Sequence, residues 1–209
     1  MNKKIIILVL FLIVSIVLLI LEIIYTKELY NKTVNSNLPS CYLGGGESEW
    51  GEREVAAKWT GKCKCVLEFG GGAGSVSTVV QKFLRNKNNH VVIQPAENGM
   101  YGGLRQLRKN KKACNSKFHI IDHILKPGEG TKLQKLVSRP FDCIVADCEG
   151  CLHHEYEKNP DLFKNVRLIQ VERDDGGKYD ELFKNKLHMT LKDTGKGCGG
   201  RCITEVWGY

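Results

Sequence analysis

Val66-Leu67-Glu68-Phe69-Gly70-Gly71-Gly72-Ala73-Gly74-Ser75-Val76-Ser77 sets a short apolar strand carrying one acid against a glycine turn, and an apolar-periodic run follows it to Leu84. That succession predicts strand, turn and helix. Glycines at 70, 72 and 74 meet three physical needs: positive φ in a tight turn, close approach of backbone to a ligand, and close packing of helix on strand. The helix start adds free N–H groups and a positive partial charge. Such a turn cradles a nucleotide-type cofactor, and spacing narrows which one. A dinucleotide G-x-G-x-x-G begun at Gly70 meets Ser75 in its sixth place, and no later register works. The phosphate loop G-x-x-x-x-G-K-[ST] is absent. The plainer alternative is a glycine turn that only punctuates strand and helix.

Working outward, the pattern repeats. His90 to Glu97 is a second apolar strand ending in polar residues, followed by a helical stretch over about 98–112. Phe118–Asp122 is a third strand and Thr131–Ser138 a short helix; Phe141–Asp147 is a fourth strand, with a helix to about Lys164. Val166–Glu172 is a fifth, followed by a helix over Tyr179–Lys186. Alternation at this period predicts an α/β fold, a mostly parallel sheet with helices on both faces. The tail differs: His188–Lys192 and Ile203–Trp207, joined by a Gly-rich turn, predict an antiparallel pair closing one edge. Open sheets of this kind bind ligands at the carboxyl ends of their strands. Glu68, Gln94, Asp122, Asp147 and Glu172 each stand at such an end, so all five are expected to face one crevice.

The compressed Glu68-x-Gly70-x-Gly72-x-Gly74 resembles motif I of class I S-adenosylmethionine-dependent methyltransferases, whose fold is Rossmann-like. Asp147-Cys148-Glu149-Gly150, with Leu168-Ile169-Gln170-Val171-Glu172 some twenty residues later, resembles the FkbM-type methyltransferase family, which carries D-x-E-G after its fourth strand and an acid closing the next. That family's second strand ends in Glu-Pro; here Gln94-Pro95 stands in its place. The resemblance covers roughly Cys65 to Tyr209 and keeps the family's motif order.

It implies S-adenosylmethionine as cofactor, with Gly70, Gly72 and Gly74 backing onto its methionine part and Glu68 holding its amino group. Gln94 would accept from the ribose hydroxyls more weakly than a carboxylate, with Glu97 as a substitute, and Asp122 would meet the adenine edge. The implied acceptor is a small molecule or glycan, most simply a sugar hydroxyl. Methyl transfer needs alignment and, for a hydroxyl, a base. Asp147, Glu149 and Glu172 are the candidate bases, with His153 or His154 as second choices. The alternatives are structural hydrogen bonds for Glu149 and Glu172 and a solvated helix face for the histidines.

Cys148-x-x-Cys151 has the spacing of half a zinc site or of a redox pair at a helix start; a second C-x-x-C is missing, although Cys198-x-x-x-Cys202 could contribute to a zinc site. A divalent ion bridging Asp147, Glu172 or Asp174 to acceptor hydroxyls is compatible with O-methyl transfer, yet nothing in the sequence requires a metal. Nine cysteines exceed what a core of this size needs. In an oxidising compartment Cys198 and Cys202 could close the terminal loop, and Cys41, Cys63, Cys65, Cys114 or Cys143 could pair, leaving at least one thiol over.

Ile5 to Leu21 is apolar apart from Ser15, and Ile23–Tyr25 extends the run past Glu22. At ~1.5 Å per residue this matches a ~30 Å hydrocarbon core. No A-x-A-like cleavage site follows, so the expectation is a short tail (1–4), an uncleaved transmembrane signal anchor through the lipid bilayer (5–25), a polar stalk (26–46) and a methyltransferase-like domain (47–209). Lys3 and Lys4 favour a cytoplasmic N-terminus and a lumenal (ER/Golgi) or external domain. A lumenal enzyme would need imported cofactor; the inverted topology removes that need and leaves reduced thiols. Glu47–Trp59 is expected to be helical, its indoles packing on the core or lidding the crevice. The net charge of +8 comes from scattered lysines without interleaved aromatics, which fits a solvated surface near anionic lipid or acidic glycan rather than nucleic acid. The rival from another class is a membrane-anchored, non-catalytic binding module that kept the fold, with Gln94 as the sign of a lost cofactor.

Overall fold

The computed structural model describes residues 3–34, 37–97, 102–173, 179–197 and 201–209. The chain divides into two compact units, Met1–Asn35 and Ser36–Tyr209. The first is one helix, α1 (Lys3–Val34). Its side chains are described between 11 and 26, where every one is exposed. Among the described residues no helix is long and apolar enough to cross a membrane.

The second unit is built on seven strands: β1 (Val66–Phe69), β2 (His90–Ile93), β3 (His119–Ile121), β4 (Cys143–Ala146), β5 (Leu168–Glu172), β6 (Thr190–Gly197) and β7 (Cys202–Gly208). Their order is β3-β2-β1-β4-β5-β7-β6. The first five strands are parallel, and β7 runs antiparallel to both β5 and β6. This is the expected parallel sheet with an antiparallel C-terminal edge. Strand order reverses between β1 and β4, the switch point at which such sheets bind ligands.

Helices α2 (Trp50–Trp59) and α3 (Ser75–Phe83) cover one face, meeting Val66, Val145, Leu168 and Val206 through Val55, Ala56, Val76, Val79 and Val80. The spacing of Val76, Val79 and Val80 puts them on one side of α3, where full burial is worth ~1.5–3 kcal/mol per side chain. Helix α4 (Gly103–Ala113) packs Leu104 and Leu107 on Val92 and Phe118. Helices α5 (Gly130–Gln134) and α6 (Cys151–Lys158) lie over the opposite face, where Leu133 and Leu152 join Leu67, Phe69, Ile144 and Ile169. The helix expected to reach Lys164 ends at Lys158, because Pro160 cannot continue it and opens a 3-10 turn, Pro160–Phe163.

The stretch read as a stalk, 26–46, is divided. Helix α1 runs on to Val34, since Tyr25-Thr26-Lys27-Glu28-Leu29-Tyr30 contains no breaker. Residues 37–46 belong to the sheet unit instead: the Leu43 N–H donates to Asn110 Oδ1 (2.9 Å), and Cys41 is bonded to Cys114. A second bridge, Cys63–Cys143, ties the approach to β1 to β4, and a third joins Cys148 to Cys151. Cys202 is disulfide-bonded as well, while Cys198, its expected partner, lies outside the described residues. Among the described residues the free thiol is Cys65, buried and pushed up to about 12 by desolvation and then by the charge of Asp142. Bridges spanning 73 and 80 residues each remove about 4.5 kcal/mol of unfolded-chain entropy, against about 2 kcal/mol for a span of 3.

Candidate functional site

Strand register sets the geometry. Phe69 pairs with Ile93 and Ala146, Ile93 with Ile121, and Ala146 with Val171, so five parallel strands end in one row. Gly70, Gln94, Asp122, Asp147 and Glu172 each follow that row directly. Alternation then puts Glu68, Asp147 and Glu172 on the face covered by α2 and α3. There they line one cavity with Glu49, Glu52, Gly70, Val76, Val145 and Gln170, and it has room for about one water molecule.

The glycine turn is anchored to β2, for the N–H groups of Gly70 and Gly71 both donate to Ile93 O (3.0 and 3.3 Å). Gly70 takes φ +80°, and a Cβ there would lie 1.6 Å from the Asp147 carbonyl oxygen. Only glycine lets β1 and the loop after β4 approach so closely. At Gly72, φ +49°, the nearest atom to an added Cβ is Glu49 Oε1 at 3.6 Å, ordinary contact distance, so a Cβ there meets no clash.

Glu68 is buried and already engaged. The Ser77 hydroxyl donates to its Oε1 (2.6 Å), and His90 Nε2 meets its Oε2 (2.9 Å). Gln81 Nε2 approaches His90 Nδ1 (3.2 Å), so a donating amide leaves the His90 proton on Nε2, facing Glu68. Gln94 is buried too; its Oε1 accepts from the Gly72 N–H (2.8 Å) and its Nε2 donates to Ala96 O (3.3 Å). Where a ribose was expected, Gln94 holds the glycine turn. Asp122 is exposed and pairs with Arg108 (3.0 Å), which also reaches Glu97 (3.5 Å), outside the carboxylate cavity.

Asp147 and Glu172 come together as expected. An oxygen of each lies within 4.8 Å of an oxygen of the other, close enough for the two carboxyls to interact. Burial holds the Asp147 carboxyl above its usual range, the Glu172 hydrogen bond opposes that rise, and the Glu68 charge adds to it. Glu149 is not brought to them: it is exposed at φ +53°, outside the cavity lining. His154 is exposed, which fits the solvated helix face, whereas His153 is half-buried and pairs with Glu157 (3.4 Å).

Two carboxylates were not foreseen. Glu52, on α2, brings an oxygen within 4.8 Å of oxygens from Asp147 and Glu172. These three hard donors suit Mg²⁺ or Ca²⁺; Asp174, the other residue considered for a metal, lies outside the described residues. Glu49, just before α2, accepts from the Ser75 hydroxyl. Burial pushes its carboxyl up to about 7, opposed by the Ser75 bond and reinforced by Asp147. Gln170 Nε2 donates to Glu52 O (3.0 Å), fixing α2 over the sheet. Glu47–Trp59 covers the cavity with carboxylates, while the Trp59 indole packs against the core, the other expectation for it, and donates to Asp193 (2.8 Å). Acids at 49 and 52 carry no spacing signal, because their role depends on where α2 lands.

No family model and no curated protein matches the chain. Solved structures do. An O-methyltransferase from Bacillus cereus in complex with SAH is similar at TM-score 0.57 and 15% identity, over 88% of this chain and 90% of that one. The O-methyltransferase TomG from Streptomyces achromogenes, in complex with SAM, is similar at 0.53 and 14%, over 75% and 78%. TrmK of M. capricolum, in complex with S-adenosylhomocysteine, is similar at 0.55 and 10%, over 75% and 67%. At these identities the likeness shows the fold, a Rossmann-like methyltransferase fold.

Proposed function

We propose that the chain is an S-adenosylmethionine-dependent methyltransferase of the FkbM type, anchored in a membrane through residues 5–25 and acting on a hydroxyl of a sugar or glycan. The observation that carries the reading is the glycine turn at the sheet's switch point, with the Asp147–Glu172 pair beside it. A Cβ at Gly70 or Gly74 would clash, so the close packing of the turn needs glycine at both places, whereas one at Gly72 would stand 3.6 Å from Glu49 Oε1. The fit extends to charge, since Glu49, Glu68, Asp147 and Glu172 make the cavity anionic, suited to a sulfonium and an ammonium group.

When bound, S-adenosylmethionine supplies an electrophilic methyl group. Gly70–Gly74 and the α3 N-terminus would seat its methionine part, with Gln94 exchanging the Gly72 N–H for a ribose hydroxyl. Asp147 and Glu172, with oxygens within 4.8 Å of one another beside the turn, would accept the proton of the acceptor hydroxyl. Glu68, turned to His90 and Ser77, positions the turn rather than touching the acceptor. Asp122, through Arg108, would stand at the adenine edge.

The D-x-E-G stretch after β4, Glu172 closing β5 and Gln94-Pro95 after β2 support the FkbM reading and, through it, the glycan acceptor. The apolar run 5–25 and its continuous helix support the anchor. Three bridges between described cysteines support a lumenal or external domain.

Calorimetric titration of S-adenosylmethionine into the full chain in detergent micelles tests the reading, with Gly72→Trp as control. Micromolar binding that the indole abolishes is expected; folded protein that binds nothing refutes it. The non-catalytic module is the second reading, favoured by Glu49 and Glu52 narrowing the cavity to about one water molecule, and that negative result would select it.

A further inference from the structure

We infer that Cys148–Cys151 is a thiol-exchange site, opened by a low-molecular-weight thiol without unfolding the chain, and that its state sets the order of the loop carrying Asp147. The control of the crevice rests on the methyltransferase reading; the exchange chemistry does not.

Among the three bridges between described cysteines, this one is set apart twice. It spans 3 residues, against 73 and 80 for the others. A ring so small restricts the unfolded chain less than half as much, so the fold owes it less than it owes the long-span bridges. Cys63 and Cys143 are buried in the core, whereas Cys148 and Cys151 are half-exposed where β4 passes into α6. Cys41–Cys114 is half-exposed too, but it pins residues 37–46 to the end of α4 across a long span.

Cys151 is the first residue of α6, where the helix's free N–H groups stabilise a thiolate, and Cys148 lies before the helix. The better leaving group is therefore Cys151. An incoming thiolate attacks Cys148 Sγ; the S–S bond breaks and Cys151 leaves with its electron pair, then takes a proton. A second external thiol attacks the mixed disulfide, freeing Cys148 and releasing the oxidised small-molecule disulfide. Two electrons pass from two thiols to one bridge.

The ring encloses Glu149 at φ +53° and Gly150 at φ +81°. A side chain rarely adopts the first conformation. Within the ring the Cys151 N–H donates to Cys148 O (3.2 Å). Its other end is packed against the glycine turn, for a Cβ on Gly70 would lie 1.6 Å from Asp147 O and 3.3 Å from Cys148 Cβ. Opening the ring releases Glu149 from its left-handed backbone and loosens the wall against which Gly70 is set.

The test uses the full chain in detergent micelles, equilibrated in glutathione buffers of graded potential, alkylated and read by peptide mass spectrometry, with near-ultraviolet circular dichroism as the check on folding. Cys148 and Cys151 are expected to become alkylated while Cys41, Cys114, Cys63 and Cys143 stay bridged and the spectrum is unchanged. Bridge opening only together with the others, as the fold is lost, overturns the proposal. In the selectively reduced protein, amide exchange in peptides covering 145–152 and 68–76 should quicken by ~10-fold or more; unchanged exchange overturns the link to the loop. Cys148→Ser/Cys151→Ser should exchange like the reduced wild type in every buffer, and a persisting redox response would assign the effect to another bridge. S-adenosylmethionine titrated into both forms separates the two failures: no binding in either form sinks the functional reading alone, while equal binding in both sinks control of the crevice.

Discussion

Alanine at Gly70 and at Gly72 should have very different consequences, although both glycines take positive φ, +80° and +49°. Left-handed backbone costs an L-residue ~1–2 kcal/mol, and that cost is common to both variants. At Gly72 it is the whole cost, because the nearest atom to the new Cβ lies 3.6 Å away. At Gly70 the Cβ falls 1.6 Å from the Asp147 carbonyl oxygen, so the strand ends must part by roughly 2 Å. Neither end is free to move. The Gly70 N–H is held by Ile93 O and the Asp147 N–H by Phe69 O, both at 3.0 Å. Overpacking of this kind adds ~1–3 kcal/mol, giving about 2–5 kcal/mol for Gly70→Ala against about 1–2 for Gly72→Ala. At ~2–4 °C per kcal/mol, the expected losses in Tm are about 4–20 °C and about 2–8 °C. Thermal denaturation followed by circular dichroism measures both. Equal losses, or a worse Gly72 variant, would refute the claim that close approach rather than φ alone dictates glycine at position 70.

The carboxyl of Glu49 is held at about 7 in the folded chain against 4.5 ordinarily, so between those values the folded state keeps a proton that the unfolded state has shed. Stability should therefore fall as pH rises from about 4.5 to about 7, and Glu49→Gln should recover ~1–3 kcal/mol at pH 8 in urea titrations; parallel pH profiles would count against it. His90→Ala takes from the buried Glu68 carboxylate the partner at 2.9 Å and leaves a void, so a loss of ~2–4 kcal/mol is expected from urea midpoints. A loss below ~1 kcal/mol would mean that Ser77 alone satisfies Glu68. Asp147→Asn should lower kcat by ~10²–10⁴ with the S-adenosylmethionine Kd little changed, once an acceptor hydroxyl is found; an unaltered kcat would remove the carboxylate pair from the base role.

Alternation of short apolar runs with helical stretches was enough to place the parallel strands and the antiparallel edge, because burial on two faces imposes that pattern on any such sheet. Element ends were less legible. The helix after β4 stops at Lys158 because Pro160 acts locally, while residues 37–46 join the sheet unit through Cys41–Cys114, a pairing that no spacing specifies. The site was legible where residues end strands. Asp147 and Glu172 meet because their strands are neighbours in register, but Glu149, inside the same D-x-E-G stretch, is turned to solvent by its left-handed backbone.

What the sequence determined by itself is the class of fold and the turn at its centre: strand period, helix period and the need for glycine are local properties of backbone and side chain. Only the tertiary structure decided which carboxylates share the cavity. Glu49 and Glu52 reach it because α2 is fastened over the ends of β1, β4 and β5, with Gln170 holding Glu52 O. Glu68 is withdrawn into the contact with His90, 22 residues away. Contacts between segments so far apart depend on where strands and helices come to rest, and local periodicity contains no record of that.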